Sequence, residues 1–322
     1  MAEHTDNQHD IGKPFDCIIL GGGPAGLAAA VYMGRYLRPT LLIDEKAPRT
    51  RWHRPTAHNV LGYPAGIQRS QLLEWGRAHV ALYESVQTRN ATVLDIRIHK
   101  DLFVLTDDDN QRRVARGLIL CPGIEYLLPD FPDVFAYAGI SMHHCPECDG
   151  YKCIGKHVAV IGTGRGSADM ALNLTTWTDH ITLCTNAQDP DCDDECVRKL
   201  AAANIAIDLR PITALTGNPE DGKLEAFVFA DGARLSIDHA FANLGTDNPV
   251  ELLRQLPLDL QKGRWIKVDH RMRTNIPRCY AAGDIVAYAQ TQLSVAMGTG
   301  ATAAIWLHKE LLPDTMCLAR EW

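Results

Sequence analysis

The segment His143-His144-Cys145-Pro146-Glu147-Cys148-Asp149-Gly150 gathers side chains that can move electrons and protons. Two cysteines separated by two residues can close a small disulfide loop. A thiol whose pKa is lowered by a nearby cation or a helix N-terminus becomes the better nucleophile. Disulfide exchange needs one accessible thiolate to attack and a second thiol to resolve the mixed disulfide. Asp149, His143 and His144 are candidate proton carriers, since an imidazole titrates near neutrality. Two other uses of the pair stay open. Cys192 and Cys196, at C-x3-C spacing, could complete a four-thiolate zinc site with Cys145 and Cys148, or the pair could be two core thiols. By themselves, Cys192 and Cys196 read as exposed thiols in an acidic loop.

Such chemistry needs a scaffold, and the sequence predicts a β-turn-α-β unit at its start. Residues 15–20 (FDCIIL) read as a buried strand, 24–36 as a helix and 40–44 (TLLID) as a second strand. Between them Gly21, Gly23 and Gly26 fit G-x-G-x-x-G. Gly21 permits the tight turn, Gly23 lets the backbone approach a pyrophosphate, and Gly26 lets helix and strand pack closely. The helix N-terminus offers N–H groups and a positive dipole end to phosphates. Asp44, 18 residues after Gly26, stands where an acid holds a ribose hydroxyl pair. A plain glycine-rich turn is the competing reading.

Further elements follow the same logic. Residues 71–84 are helical by periodicity, 92–106 form a β-meander ending in the turn Asp107 to Asn110, and 117–121 form a strand. A second β-turn-α-β unit begins at 157–161, with its turn at Gly162 to Ser167, a helix over about 166–177 and a strand at 180–184. Residues 224–244 resemble a strand pair, 278–286 a strand and 293–309 a long helix.

The 322 residues suit two domains, with 46% hydrophobic and 22% charged residues. A net charge of −7 gives no reason to expect nucleic acid. The polar, acidic residues 1–13 do not form a secretory signal, and no apolar run reaches 18 residues, so no membrane span is expected. The location reads as cytoplasmic. There most of the ten cysteines should be free thiols.

Six motifs in order give the chain a resemblance to the low-molecular-weight thioredoxin reductase family over nearly its whole length. GGGPAGLAAAVYMGR (21–35), including Pro24 and Ala25, resembles the family's FAD-pyrophosphate turn. AHNVLGYP (57–64) resembles the loop whose asparagine, here Asn59, contacts FAD. CPECDG (145–150) resembles the redox centre, and AVIGTGRGSADMAL (159–172) the second nucleotide turn. YAAGDI (280–285), with Gly283 and Asp284, resembles the ribityl-binding segment. TQLSVAMGTGATAA (291–304), with Gln292 and Leu293, resembles the last flavin-binding turn and helix.

The resemblance implies an α/β fold of two Rossmann-like, three-layer ββα domains, the second inserted in the first. The FAD domain would be 1–116 and 247–322, and the inserted module carrying the redox pair 117–246. It implies that Cys148 faces the flavin, Cys145 exchanges with the partner disulfide and Asp149 is the acid–base group. It also implies a homodimer acting on a thioredoxin-like protein or a small dithiol or disulfide. The rival readings are a conventional NADPH–thioredoxin reductase and a non-catalytic flavin or zinc redox sensor.

The pattern breaks at the second nucleotide site. Where NADPH-using members carry H-R-R-x-x-x-R, this chain has Thr185-Asn186-Ala187-Gln188-Asp189-Pro190-Asp191, followed by Asp193, Asp194 and Glu195. Acids there repel a 2′-phosphate that guanidinium groups would grip. NADPH is therefore expected to be a poor reductant, unless Arg165 or Arg198 replaces the clamp. Thr291 also departs from the arginine of many members. Arg49-Thr50-Arg51-Trp52-His53-Arg54 could stack on a flavin or form a solvated basic loop. Trp322 could cover a flavin or fray. These features resemble the pyridine-nucleotide-independent branches, nearest the cyanobacterial diflavin-linked disulfide oxidoreductases, which would imply a second FAD.

Overall fold

The computed structural model describes residues 13–45, 56–186, 188–287 and 289–316. The chain divides into two compact units. Of the described residues, 13–45, 70–124 and 248–316 form the first unit, and 56–69 and 125–247 form the second.

The first unit is laid down in two passes of the chain. The initial pass gives β1 (Phe15–Leu20), α1 (Pro24–Arg35) and β2 (Thr40–Asp44), as the apolar runs and glycines predict. Helix α2 (Arg69–Val80) leads to β3 (Val86–Asn90), an edge strand with few buried residues, which explains why its sequence carries no strand signal. An antiparallel run follows: β4 (Val93–His99), β5 (Leu102–Asp107) and β6 (Arg112–Leu120). The sequence predicts only residues 117–121 as the last of these. The strand starts five residues earlier because Val114 and Ala115 are buried between the outward-facing Arg112 and Arg116.

The second unit contains β7 (Met142–His143), the one-turn helix α3 (Pro146–Asp149) and a 3₁₀ turn over Gly150–Cys153. Next come β8 (Val158–Ile161), α4 (Gly164–Leu174), β9 (Ile181–Cys184), α5 (Asp194–Ala202) and β10 (Ala206–Asp208). Strands β11 (Ile212–Asn218), β12 (Lys223–Phe229) and β13 (Arg234–Ser236) make a separate antiparallel sheet. Strand β14 (His239–Ala242) returns to the parallel sheet, whose order is β7-β14-β8-β9-β10.

The chain then completes the first unit with β15 (Cys279–Ala281) and α6 (Leu293–Glu310). Strand β15 lies beside β6, and the main sheet runs β3-β2-β1-β6-β5-β4. The predicted strand over 278–286 stops at Ala281. Gly283 takes φ +79° and turns the chain toward Asp284.

Alternation in the central parallel strands sends successive side chains to opposite faces. Ile18, Leu20, Leu41, Ile43, Leu118 and Leu120 form one core. Cys17, Ile19, Leu42 and Ile119 join α1 and α6 in the other. No helix among the described residues is long and apolar enough to cross a membrane.

Ile119 is fully buried, whereas Leu82 is 75% exposed. Ile119→Ala is expected to lower unfolding stability by about 2–5 kcal/mol, and Leu82→Ala to leave it within about 0.5 kcal/mol. Chemical denaturation followed by circular dichroism reads both; equal losses would contradict this layering.

Candidate redox site and glycine turns

The C-x-x-C segment folds as a tight turn in the second unit. Cys145 is the extended residue that precedes α3, and Pro146, which needs no N–H partner, opens the helix. The turn brings the Cys145 and Cys148 Cα atoms to 5.3 Å, and the two sulfurs are bonded. Cys145 is buried and Cys148 half-buried. Glu147 Oε2 stands 3.7 Å from Cys145 Sγ, while Asn173 Nδ2 of α4 donates to Glu147 Oε1 at 2.9 Å.

Asp149 closes the turn. Lys152 Nζ donates to its Oδ1 at 2.6 Å, and His143 Nδ1 lies 3.2 Å from its Oδ2. His143 comes from β7 and is fully buried. Its Nε2 shares a hydrogen bond with His239 Nδ1 of β14 at 3.0 Å, so one ring donates and the other accepts. Burial alone would raise the Asp149 pKa. His143 and Lys152 outweigh it and hold the carboxyl at about 2. Burial, with His143 beside it, lowers His239 to about 4. Near neutrality, therefore, Asp149 is a carboxylate and His239 a neutral imidazole.

His144 has different surroundings. Its ring stacks on Tyr126 at 3.7 Å, and burial lowers its pKa to about 4. Of the two histidines beside the pair, His143 is the one that touches Asp149. Lys152 and His239 escape a reading of the sequence. Lys152 sits three residues past Asp149, a spacing that could have flagged it. His239 lies 96 residues from His143 and carries no local signal.

Among the described residues, Cys145, Cys148, Cys192 and Cys196 do not gather into one four-thiolate cluster. Cys145 and Cys148 are bonded to each other. Among the described residues, only Asp107, Asp108 and Asp109 bring three ligand atoms of His, Cys, Asp or Glu within 4.8 Å. Cys192 and Cys196 are not exposed loop thiols either. Asp193 caps α5 by accepting from the Cys196 N–H at 2.9 Å, so Cys196 lies buried in the first helical turn. The signal was an N-cap aspartate followed by two acids and then Val197 and Leu200.

In the first unit, the β1–α1 turn holds Gly21, Gly23, Pro24, Ala25 and Gly26 of the predicted cofactor-binding residues. Gly21 has φ +106°, and a Cβ there would strike the Cys121 carbonyl; one on Gly26 would strike the Gly21 carbonyl. Gly23, by contrast, has no described residue within 4 Å of where a Cβ would sit. Gly23, Pro24 and Ala25 open α1, whose first turn lacks a side-chain cap. The Gly22 N–H donates to Asp44 Oδ1 at 2.9 Å, fixing the carboxylate beside the turn. Gly283 lies against Ala25, and its N–H donates to Thr299 Oγ1 at 3.1 Å. Asp284 follows it. Gln292 and Leu293 begin α6, where Gly300 lets the helix approach the Ala25 backbone closely. Open space at Gly23, uncapped N–H groups and an oriented acid suit a dinucleotide pyrophosphate and ribose. Asn59 lies on an exposed loop between the short paired strands Thr56–Ala57 and Ile67–Gln68, grouped with the second unit. Arg49 to Arg54 and Trp322 lie outside the described residues.

The second glycine turn has a different environment. Gly162 has φ +150°, and Ser167, the third small position, is buried and donates to the Thr163 carbonyl. The Gly164 N–H, however, donates to the Pro190 carbonyl at 2.7 Å. The loop after β9 thus folds back on the turn and brings Asp191 to Gly164. Arg165 pairs with Asp193 and lies 3.9 Å from Glu195. Arg198 Nε donates to the Asp194 carbonyl.

Residues 15–300 match the pyridine nucleotide-disulphide oxidoreductase family. A crystal structure described as thioredoxin reductase TrxB from Bacillus anthracis is 26% identical, with a TM-score of 0.82. The match covers 92% of this chain and 98% of that one. The NADH dehydrogenase of Bacillus subtilis is 26% identical over 318 residues, 95% of this chain and 60% of its own length. A component of the alkyl hydroperoxide reductase of Xanthomonas campestris pv. phaseoli is 28% identical over 309 residues, 91% of this chain and 56% of its own length. The chain spans 60% or less of these two curated relatives. With the family matched across both units, the doubly Rossmann-like architecture and the glycine turns fall into place: the chain belongs to the pyridine nucleotide-disulphide oxidoreductase family.

Proposed function

We propose that the chain is an FAD-dependent thiol–disulfide oxidoreductase that passes two electrons between its flavin and the Cys145–Cys148 disulfide, and between that pair and an external dithiol or disulfide. The observation that carries this reading is the bonded C-x-x-C turn with an ionised Asp149 at its end. The FAD domain would be 1–116 and 247–322, with 117–246 as the inserted module. The acceptor or donor is a thioredoxin-like protein or a small dithiol, met by a homodimer in the cytoplasm. The likeness to the diflavin-linked branch extends the proposal to a second FAD per chain.

FAD would be held by Gly21, Gly23, Pro24, Ala25, Gly26 and Asp44, with Asn59, Gly283, Asp284, Gln292 and Leu293 as further contacts. When bound, it supplies two-electron redox chemistry. The protein's own part is the sulfur chemistry. In the reduced pair the Cys145 thiolate attacks one sulfur of an external disulfide, and that S–S bond breaks as a mixed disulfide forms. The Cys148 thiolate then attacks Cys145 Sγ, closes the internal disulfide and releases the second external thiol. Two electrons leave the pair and two protons end on the released thiols; the reverse direction moves the same atoms. Asp149 is already ionised, so it acts as a proton acceptor, with His143 and Lys152 stabilising its charge.

Gly23→Val is expected to leave the fold intact and to lose bound flavin, because its side chain enters open space. Gly26→Ala is expected to disturb folding, because a Cβ meets the Gly21 carbonyl. Flavin absorbance and circular dichroism of the two purified variants read the difference. A yellow, flavin-saturated Gly23→Val protein would remove the cradle.

Cys148→Ser should abolish disulfide turnover while the protein keeps its flavin. Asp149→Asn should reduce turnover by about 10²-fold. The Asp149 pKa is depressed in the folded state, so the stability it contributes is present above its ordinary value and is lost as pH falls toward about 2. The stability gap between wild type and Asp149→Asn should accordingly be present at pH 7 and close on acidification between about pH 4 and pH 2. A gap independent of pH would contradict the ionised role.

NADPH should be a poor reductant. The Gly164 N–H is taken by Pro190, Arg165 is neutralised by Asp193, and Asp191 stands at the turn. Anaerobic addition of micromolar NADPH should leave the flavin spectrum oxidised over minutes; prompt bleaching would restore the conventional NADPH–thioredoxin reductase reading.

A further inference from the structure

Cys192 and Cys196 take no part in the chemistry above, yet their sulfurs stand 2.6 Å apart. That is a small movement from the roughly 2.05 Å of a bonded pair. Cys196 is buried in the first turn of α5, and Cys192 is half-buried just before the N-cap Asp193. Two positions upstream of Cys192, the Pro190 carbonyl accepts from the Gly164 N–H at 2.7 Å. A bond between these sulfurs would therefore tie the end of the covering loop to the first turn of α5. The other free thiols of this unit, Cys153 and Cys184, are buried, Cys153 with its Sγ against the Asp149 carbonyl.

We propose that Cys192 and Cys196 are a second dithiol–disulfide couple, whose oxidation clamps the 188–191 segment over the Gly162–Ser167 turn. The oxidant is an external disulfide. One cysteine thiolate attacks a sulfur of that disulfide, whose S–S bond breaks to release one thiol. The second cysteine gives up its proton, attacks the first and displaces the other thiol. Two electrons pass to the external disulfide, and both protons end on its thiols. Burial, then Cys196 and nearby acids, push the Cys192 thiol up to about 12. Exchange near neutrality is therefore slow, and the couple is read at equilibrium. The inference rests on the loop and its sulfurs, not on the flavin chemistry.

The test uses the full-length, flavin-loaded protein carrying Cys145→Ser and Cys148→Ser, so that it is independent of the main pair. The protein is equilibrated with mixtures of reduced and oxidised glutathione, acid-quenched and alkylated. Mass spectrometry then reads the peptide spanning 192–196, and hydrogen exchange reads the Gly164 amide. An internal 192–196 disulfide should form as the glutathione ratio becomes oxidising, and Gly164 exchange should slow by about tenfold in that state. Adding Cys192→Ser and Cys196→Ser should make the Gly164 rate insensitive to glutathione. Two alkylatable thiols throughout the range, or a glutathione adduct in place of the internal bond, would overturn the couple. A Gly164 rate equal in both states, or a response that survives the serine substitutions, would overturn the clamp.

Discussion

A buried negative charge organises the redox turn. Asp149 sits where desolvation alone would favour its neutral form, and an unpaired carboxylate there would cost several kcal/mol. The fold answers from two directions. Lys152, one 3₁₀ turn on, and His143, on the adjacent parallel strand, both reach it, and their pull exceeds the burial penalty. The consequence is geometric as well as electrostatic. A carboxylate held at both oxygens fixes the last residue of a four-residue helix that is too short to fix itself. The bonded cysteines are positioned by that fixed end and by Pro146 at the start. His239 extends the network to β14, so the turn is braced against the parallel sheet of its own unit.

The two units use the same β-turn-α-β device with opposite outcomes. Both turns place a left-handed or near-extended glycine after the first strand and both leave the following helix without a side-chain cap. In the first, the Asp44 carboxylate at the end of β2 accepts from the Gly22 N–H, and no described residue stands within 4 Å of where a Gly23 Cβ would sit. In the second, the chain after β9 doubles back, and a backbone carbonyl satisfies the N–H that an anion would otherwise take. A carbonyl oxygen and a phosphate oxygen compete for the same donor, and here the carbonyl is covalently delivered by the chain itself, backed by aspartates that repel the competitor.

What the sequence makes legible follows from this division. The parallel strands declare themselves as continuous apolar runs, because both their faces are buried. The glycine turns do so because only glycine tolerates a carbonyl where a Cβ would stand. Strand β3 and the first half of β6 do not, since an edge strand and arginine-rich outward positions carry little of the alternating pattern. Helix α5 hides behind its acids: Asp193, Asp194 and Glu195 read as a solvated loop until their place at a helix N-terminus is recognised. At the redox site, Cys145, Cys148 and Asp149 are local in sequence and could be read together. His239 is brought in only by the pairing of distant strands, and no spacing rule reaches it.

The cysteines show why type and spacing are not enough. Cys17, Cys121 and Cys279 are buried in the first unit's sheet, and burial pushes the Cys121 and Cys279 thiols up to about 12. At neutral pH such thiols hold almost no thiolate, so they behave as small apolar side chains. Cys153 lies within five residues of Cys148 and would look like a third member of the redox group by proximity alone. Burial and the adjacent Asp149 charge hold it in the thiol form, and its Sγ rests against the Asp149 carbonyl at 3.7 Å. The carboxylate that shapes the redox turn thus also keeps the nearest competing sulfur out of the chemistry. Exchange through Cys153 would require it to surrender a proton beside a negative charge, whereas Cys145 and Cys148 are already bonded to each other.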